Sequence, residues 1–303
     1  MSGPGLRLGV DIGGTFTDLV LADPATGQLW NGKVLTTQLD PSEGVLAGIR
    51  EVAALAGVAP AAIAQVIHGT TLVANAIIER KGVRTGFVAT AGFRDLLEMA
   101  REWRWDIYDL SITLAPPLVP RSRCVEVAER VAADGSVLTP FDPSSAEEAV
   151  RRLAGMGVET VAVTFLHAFR DPTHEQAMAA ILARHLPDAA ISLSSEVAPA
   201  LGEYERATTT VANAYVLPLM ERSLRRLEEG LRELGIAAPL LLIMSSGGVT
   251  TVETARRFPI RLVESGPAGG AVLAQMIAAQ NGLSRALSFD MGGTTAKITL
   301  IDD

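Results

Sequence analysis

The chain has 303 residues, 48% of them hydrophobic, and a formal net charge of −8 with Lys+Arg 26 against Asp+Glu 34. That length supports a sizeable core in one large or two ordinary domains. The acidic balance, without any basic run, argues against nucleic acid or an anionic membrane surface as partners. Cys124 is the single cysteine, so neither a disulfide framework nor a thiolate metal centre is expected, and a reducing cytoplasm fits. Strand-like residues begin at Leu6 without a basic and apolar leader, and apolar stretches such as 239–244 fall far short of the roughly 20 residues of a membrane span.

Leu6, Leu8 and Val10 alternate into Gly13-Gly14, and residues 16–22 run out of it, which predicts a hairpin with 28–35 as a third strand. Asp40-Pro41-Ser42 starts a helix that carries Val45, Leu46, Ile49, Val52, Ala53 and Leu55 at helical spacing. A short strand at 65–67 leads through His68-Gly69-Thr70-Thr71 into a helix reaching Lys81, followed by a strand at 83–89 and a helix at 92–99. Residues 101–120 interleave Trp103, Trp105 and Tyr108 with Arg101, Glu102, Arg104, Asp106 and Asp109 and end in prolines. They read either as a binding loop or as a clamp of buried tryptophans.

Helices at 144–156 and 172–186 then alternate with strands at 158–166 and 189–193. A long helix at 202–234 should kink at Pro218, whose ring removes a donor. Strands at 240–244 and 260–263 precede a small-residue helix at 268–279. This alternation predicts an α/β fold of layered sheets and covering helices, with a boundary near 194–199 resting on loop chemistry alone.

The decisive pattern is a repeat. Asp11-Ile12-Gly13-Gly14-Thr15 returns as Asp290-Met291-Gly292-Gly293-Thr294, each between two apolar strands. A Gly-Gly turn exposes backbone N–H groups, threonine adds a hydroxyl, and aspartate can hold a hydrated cation. Two such turns facing one another would grip a polyphosphate, with Mg2+ between carboxylates and phosphates. One copy would be ordinary hairpin chemistry; two in register are hard to obtain by chance.

Hairpin, small-residue helix and second hairpin, in that order, resemble the actin, sugar-kinase and chaperone-ATPase superfold (ribonuclease H-like). Within it, His68-Gly69-Thr70-Thr71 with Asn75, Glu79-Arg80-Lys81-Gly82, Gly92-Phe93-Arg94-Asp95, Tyr204-Glu205-Arg206, Asn213-Ala214-Tyr215 and Ser265-Gly266-Pro267-Ala268-Gly269-Gly270 are similar to the hydantoinase A/5-oxoprolinase family. The resemblance spans the whole chain and implies two parts: an N-terminal domain over 1–195, and the start of a hydantoinase A domain over 196–303 with its second lobe incomplete.

The resemblance also implies ATP-dependent phosphorylation of a cyclic-amide carbonyl oxygen (hydantoin, 5-oxoproline or lactam), after which water opens the ring. Positioning and charge neutralisation would carry that reaction. Asp11 and Asp290 are the expected catalytic and Mg2+-holding residues. Gly13, Gly14, Thr15, Gly292, Gly293 and Thr294 are expected to cradle the phosphates, with Thr17 and Thr295 as lesser donors. K+ is a further candidate cation.

His68, Gly69, Thr70, Thr71 and Asn75 are candidate substrate contacts at a strand-to-helix junction. Implied partners are a B-type subunit and a small cyclic amide or ketone, in an oligomer. Lys297 departs from the family form by reversing the charge at the site corresponding to Asp18; it reads as a phosphate contact or as a solvated lysine.

Other residues are ambiguous from sequence. Glu98, Arg101, Glu102 and Tyr204-Glu205-Arg206 suit a substrate or a charged surface equally. His167, His174 and His185 are too widely spaced for a helical metal pair. Two alternative functions stay open: the ATP-binding subunit of an acetone- or acetophenone-type carboxylase, and a non-catalytic nucleotide-switching module.

Overall fold

The computed structural model describes residues 5–37, 40–104, 106–291 and 296–302. The chain divides into two compact units, Met1–Ala76 with Leu219–Asp303, and Ile77–Pro218.

The first unit begins with β1 (Leu6–Ile12), β2 (Phe16–Ala22) and β3 (Leu29–Leu35), an antiparallel meander. Alternation places Leu8, Val10, Leu19 and Leu21 in the core and turns Asp11 and Asp18 to the opposite face. Helix α1 (Pro41–Ala56) packs Val45, Ile49 and Val52 against β2 and β3. Each such buried aliphatic side chain contributes about 2 kcal/mol. The Asp40 carboxylate caps α1 by accepting from Ser42 N–H at 3.1 Å, with Pro41 as the first helical residue. Strand β4 (Ile63–Thr70) runs parallel to β1 and leads into the short helix α2 (Leu72–Ile78).

The second unit is built on a parallel sheet. Its strands are β5 (Thr85–Thr90), β6 (Cys124–Val127), β9 (Thr160–Thr164) and β10 (Ala190–Leu193), in the order β10-β9-β5-β6. A small ribbon, β7 (Arg130–Val131) with β8 (Val137–Thr139), follows β6. Every residue of β5 and β9 is buried, because helices and loops cover both faces. Helix α4 (Pro143–Gly155) and α5 (Thr173–His185) pack on one face around Val150, Leu153, Val163, Met178 and Leu182. On the other face, α3 (Leu96–Met99) and Ala207, Val211 and Ala214 of the helix that follows α6 (Ser194–Val197) meet Phe87, Ala89 and Ala162.

That long helix, α7 (Glu203–Glu233), contains Pro218 and runs on without the interruption expected from sequence; the boundary between the units falls at this proline.

The first unit resumes with β11 (Leu240–Ile243), β12 (Val249–Thr251) and α8 (Val252–Arg257), completing a six-stranded sheet of order β12-β11-β4-β1-β2-β3. Helix α9 (Ser265–Gln280) then leads into the second hairpin, β13 (Arg285–Met291) with β14 (Ala296–Asp302), and packs against both of its strands.

The strand expected at 260–263 is instead a 3-10 turn, Pro259–Leu262. Pro259 fixes φ and lacks an N–H, which suits the first position of a turn and not a ladder, while Leu262 is still fully buried. The helix expected from 92 shortens to Leu96–Met99, and the one expected to reach Lys81 ends at Ile78. No helix among the described residues is long and apolar enough to cross a membrane.

The hairpin β13–β14 carries its large apolar side chains outward. Leu287 faces Leu300 and Phe289 faces Ile298 across the ladder, and all four, with Met291, are exposed.

Candidate functional site

The first Gly-Gly turn is fastened from behind. Gly13 N–H donates to Phe16 O at 2.9 Å, and a Cβ at Gly13 would stand 2.9 Å from that same oxygen, so only glycine fits. Thr36 N–H donates to Thr15 O at 2.9 Å, and the Thr36 hydroxyl donates to Gly13 O at 2.9 Å. Thr17 is fully buried and shares a hydrogen bond of 3.0 Å with Thr36 Oγ1, so its hydroxyl builds the turn from inside. Gly14 and Thr15 form the exposed tip.

The His68–Thr71 junction lies beside this hairpin because β4 pairs with β1 in a register that sets Val10 against His68, Asp11 against Gly69 and Ile12 against Thr70. The Thr71 hydroxyl donates to Ile12 O at 3.1 Å and accepts from Asn75 Nδ2 at 3.2 Å. Thr70 Oγ1 accepts from Leu72 N–H at 3.2 Å. Ser265 Oγ donates to Thr70 O at 2.8 Å and accepts from Thr70 N–H at 3.1 Å, which joins the start of α9 to the end of β4. These hydroxyls are engaged in holding the junction together.

A Cβ at Gly69 would come within 3.2 Å of Asp11 Oδ1. Gly69→Ala should therefore displace the Asp11 carboxylate by a few tenths of an ångström. The pH at which the Asp11 carboxyl titrates, read by NMR, is expected to shift in the variant; a titration equal to wild type would detach Gly69 from Asp11.

His68 is buried, its Nδ1 has no partner among the described residues, and desolvation pushes its pKa from 6.5 down to about 4. The fold thus requires neutral imidazole. Stability is full above the unfolded value of 6.5 and declines as pH falls toward 4, by about 3 kcal/mol in all. Urea midpoints measured from pH 7 to pH 4 should fall more steeply in wild type than in His68→Gln; parallel slopes would exonerate His68.

The second hairpin repeats the register of the first. Asp11 faces Asp18 across β1–β2, and Asp290 faces Lys297 across β13–β14. The Asp11 carboxyl is pushed up from 3.8 by partial enclosure first, then by the charges of Asp18 and Asp290, while Lys297 pulls it back. Charges from both hairpins therefore bear on Asp11. Asp18 is neutralised by Lys33 at 2.7 Å, and Lys297 approaches Glu264 Oε2 at 3.6 Å. Lys297 is thus paired, and not a free solvated lysine. Gly292, Gly293, Thr294 and Thr295, expected at the second turn, lie outside the described residues, as does Trp105.

Ser245 and Ser265 escaped the sequence reading as site residues. Ser245 donates from N–H and Oγ to Arg261 O at 2.8 and 2.9 Å, and its Oγ accepts from Glu264 N–H at 3.0 Å. The available signal was a Ser-Ser-Gly-Gly turn at the end of β11, matching the Gly-Gly turn that follows β1.

Comparison with known proteins matches the chain in two stretches that differ from its two compact units. The family model described as Hydantoinase/oxoprolinase N-terminal region matches residues 7–186, and the model described as Hydantoinase/oxoprolinase matches residues 206–303. The chain belongs to the hydantoinase/oxoprolinase family.

Among relatives in this family, the caprolactamase subunit alpha of Pseudomonas jessenii is 35% identical over 309 residues, covering 99% of this chain and 44% of that protein. The 5-oxoprolinase of Saccharomyces cerevisiae is 29% identical over 340 residues, covering 98% of this chain and 26% of that protein. A nucleotide-free structure of acetone carboxylase superposes with a TM-score of 0.90 at 25% identity, over 98% of this chain and 44% of that one. The crystal structure of ATP-dependent caprolactamase from Pseudomonas jessenii gives 0.86 at 35% identity, over 97% and 43%. This hydantoinase/oxoprolinase chain thus spans less than half the length of these relatives and has the actin-like ATPase fold expected from its sequence.

Proposed function

We propose that the chain carries the polyphosphate grip of an ATP-dependent enzyme that phosphorylates the carbonyl oxygen of a cyclic amide. The observation that carries this reading is the pair of hairpins of identical register in one compact unit, with the charges of Asp18 and Asp290 both bearing on Asp11. A cation beside Asp11 would relieve that cost, a divalent one more than K+. Among the described residues no three carboxylate or imidazole groups gather to ligate an ion directly, so Asp11 and Asp290 would hold Mg2+ through its waters, and it would supply charge neutralisation.

The chain's own residues then have distinct parts. Asp11 and Asp290 hold and orient the cation. The turns Gly13-Gly14-Thr15 and Gly292-Gly293-Thr294, with Thr295, form the phosphate cradle, in which the Gly13 N–H is engaged with Phe16 O and shapes the turn. Thr17 keeps the first turn in shape. Thr71 and Asn75 are the half-buried members of the junction beside Asp11 that a substrate would meet, with His68, Gly69 and Thr70 buried behind them.

In the transfer, the bond from the γ-phosphorus to its bridging oxygen breaks and a bond to the amide oxygen forms, with ADP leaving. Water then adds at the carbon, and the ring C–N bond breaks with the nitrogen taking a proton, to leave an acyl phosphate and a free amine. A second water releases phosphate and the carboxylate. An amide resists water because nitrogen donates into the carbonyl; phosphorylating the oxygen removes that donation. The protein's work is positioning and charge neutralisation.

The exposed apolar face of β13–β14 supports a catalytic assembly larger than this chain, with a B-type subunit as partner. The buried lone Cys124 agrees with a reducing cytoplasm. The division at 1–195 and 196–303 is retained as the functional one.

The likeness to acetone carboxylase favours one second reading, in which the same grip activates a ketone as its enol phosphate. Phosphate release by the full-length complex, screened over lactams, hydantoins, 5-oxoproline and ketones with and without bicarbonate, separates the two. The leading reading expects stimulation by a cyclic amide independent of bicarbonate. Bicarbonate-dependent stimulation by a ketone would replace it with the second reading, and release stimulated only by a partner protein would replace both with a nucleotide switch.

A further inference from the structure

The two hairpins share a register and differ in charge at one position. Asp11 pairs with Asp18 across β1–β2, and Asp290 pairs with Lys297 across β13–β14. In the first hairpin the additional carboxylate is neutralised from the next strand, by Lys33 of β3 at 2.7 Å. Among the described residues the second hairpin has no third strand, and it carries a cation on its own return strand instead.

Lys297 is turned inward. Its side chain is 28% exposed, against 56% for Lys33. Directly opposed residues of an antiparallel pair project from the same face, so the Lys297 stem stands beside Asp290. Its ammonium is 3.6 Å from Glu264 Oε2, an ion contact too long for a hydrogen bond. Glu264 directly precedes Ser265, whose Oγ is bonded to both the N–H and the carbonyl of Thr70. Thr70 follows Gly69, the residue set against Asp11 across β1–β4. These contacts bring Lys297 to the neighbourhood of Asp11, where its charge opposes those of Asp18 and Asp290.

One ammonium thus serves the carboxylates of Asp11, Asp290 and Glu264. A divalent ion that approaches them without anions of its own is repelled by that ammonium. An ion carried on a polyphosphate brings negative oxygens that the same ammonium attracts. Among the described residues no three carboxylate or imidazole groups gather to ligate an ion directly. Polyphosphate oxygens would therefore complete the ion's ligand shell and also reverse the sign of its encounter with Lys297.

We propose that Lys297 is the tethered counter-ion of the Asp11, Asp290 and Glu264 carboxylates, and that it weakens the binding of free divalent cations so that metal and polyphosphate enter together. The counter-ion stands on the register and contacts of the second hairpin; joint entry with a polyphosphate rests on the function proposed above.

The test is calorimetric titration of the full-length protein with Mg2+ alone, in low-salt buffer, for wild type, Lys297→Met and Lys297→Arg. Lys297→Met should bind free Mg2+ about tenfold more tightly than wild type or better, while Lys297→Arg, which keeps the charge, should stay within about threefold. Adding Asp11→Asn to Lys297→Met should cancel the gain, which a general change in surface charge would not do. Lys297→Thr, suited to a strand, is the second variant should the methionine form fail to fold, as judged by circular dichroism. Unchanged Mg2+ affinity in a folded uncharged variant, an equal gain in Lys297→Arg, or a gain that survives Asp11→Asn would overturn the proposal. ATP titration in the presence of Mg2+, on the same preparations, keeps the two readings apart. Tighter binding of free Mg2+ without any ATP binding upholds the counter-ion and sinks the proposed function; ATP binding to wild type with no gain in the uncharged variants does the reverse.

Discussion

Asp11→Asn is expected to lower nucleotide turnover of the assembled enzyme by at least 10³-fold while leaving the fold intact and slightly more stable. The loss follows from the role of a cation-holding carboxylate in phosphoryl transfer, where charge neutralisation supplies most of the rate. The gain in stability follows from the raised pKa of Asp11. A carboxyl raised above its unfolded value of 3.8 binds its proton more readily in the folded state, so its ionisation costs stability at pH values above 3.8. Asparagine removes that cost, and the unfolding temperature at pH 7 should rise or hold. Added Mg2+ should raise the wild-type unfolding temperature and have less effect on the variant. Near-normal turnover, or a variant clearly less stable than wild type, would remove Asp11 from this role. A residue that costs stability and serves function is the expected trade at an active site.

The largest effect on stability is expected at Glu175, in the second unit. Glu175 is fully buried and accepts four hydrogen bonds: from Phe165 N–H at 3.0 Å, Ser194 Oγ at 2.6 Å, Ser195 N–H at 2.9 Å and Ser195 Oγ at 2.7 Å. Arg206, also buried, joins the same group through Ser194 Oγ at 3.1 Å, Ala200 O at 3.1 Å and Phe165 O at 2.9 Å, with its guanidinium 5.4 Å from the Phe169 ring centre. Burial pushes the Glu175 carboxyl up, while the surrounding donors pull it down.

Removing the carboxylate leaves four donors without their acceptor and the buried Arg206 without its nearby opposite charge, and breaking such a buried group costs about 3–5 kcal/mol. Glu175→Ala should lower the unfolding temperature by on the order of 10 °C. Glu175→Gln, which keeps the shape and part of the bonding, should fall between. A loss under about 1 kcal/mol for the alanine variant would show the network to be redundant.

What the sequence revealed follows its periodicities. Leu8 and Val10 alternating against Asp11, and the Asp-x-Gly-Gly-Thr phrase repeated at 290–294, locate both hairpins and their matching registers. Capping chemistry at Asp40-Pro41-Ser42 locates α1. The errors arise where local pattern was weak or overruled. Ile260, Leu262 and Val263 look like a strand, but Pro259 starts a turn. The four residues of β6 and the two of β7 are too short for alternation to register.

Partnerships across the chain were beyond reach for another reason. Nothing local tells that Lys297 meets Glu264, that Thr17 turns inward to Thr36, or that Arg206 is a buried hub and not a surface charge. Such contacts join residues tens of positions apart, and only the fold brings them together.

The central claim is that Asp11 and Asp290 share one cation on a nucleotide's phosphates. Calorimetric titration of wild type, Asp11→Asn and Asp290→Asn with ATP, each in the presence of Mg2+ and of EDTA, tests it most directly. The account predicts that Mg2+ strengthens ATP binding to wild type at least tenfold and that either substitution abolishes most of that strengthening. Equal Mg2+ dependence in all three proteins would contradict it.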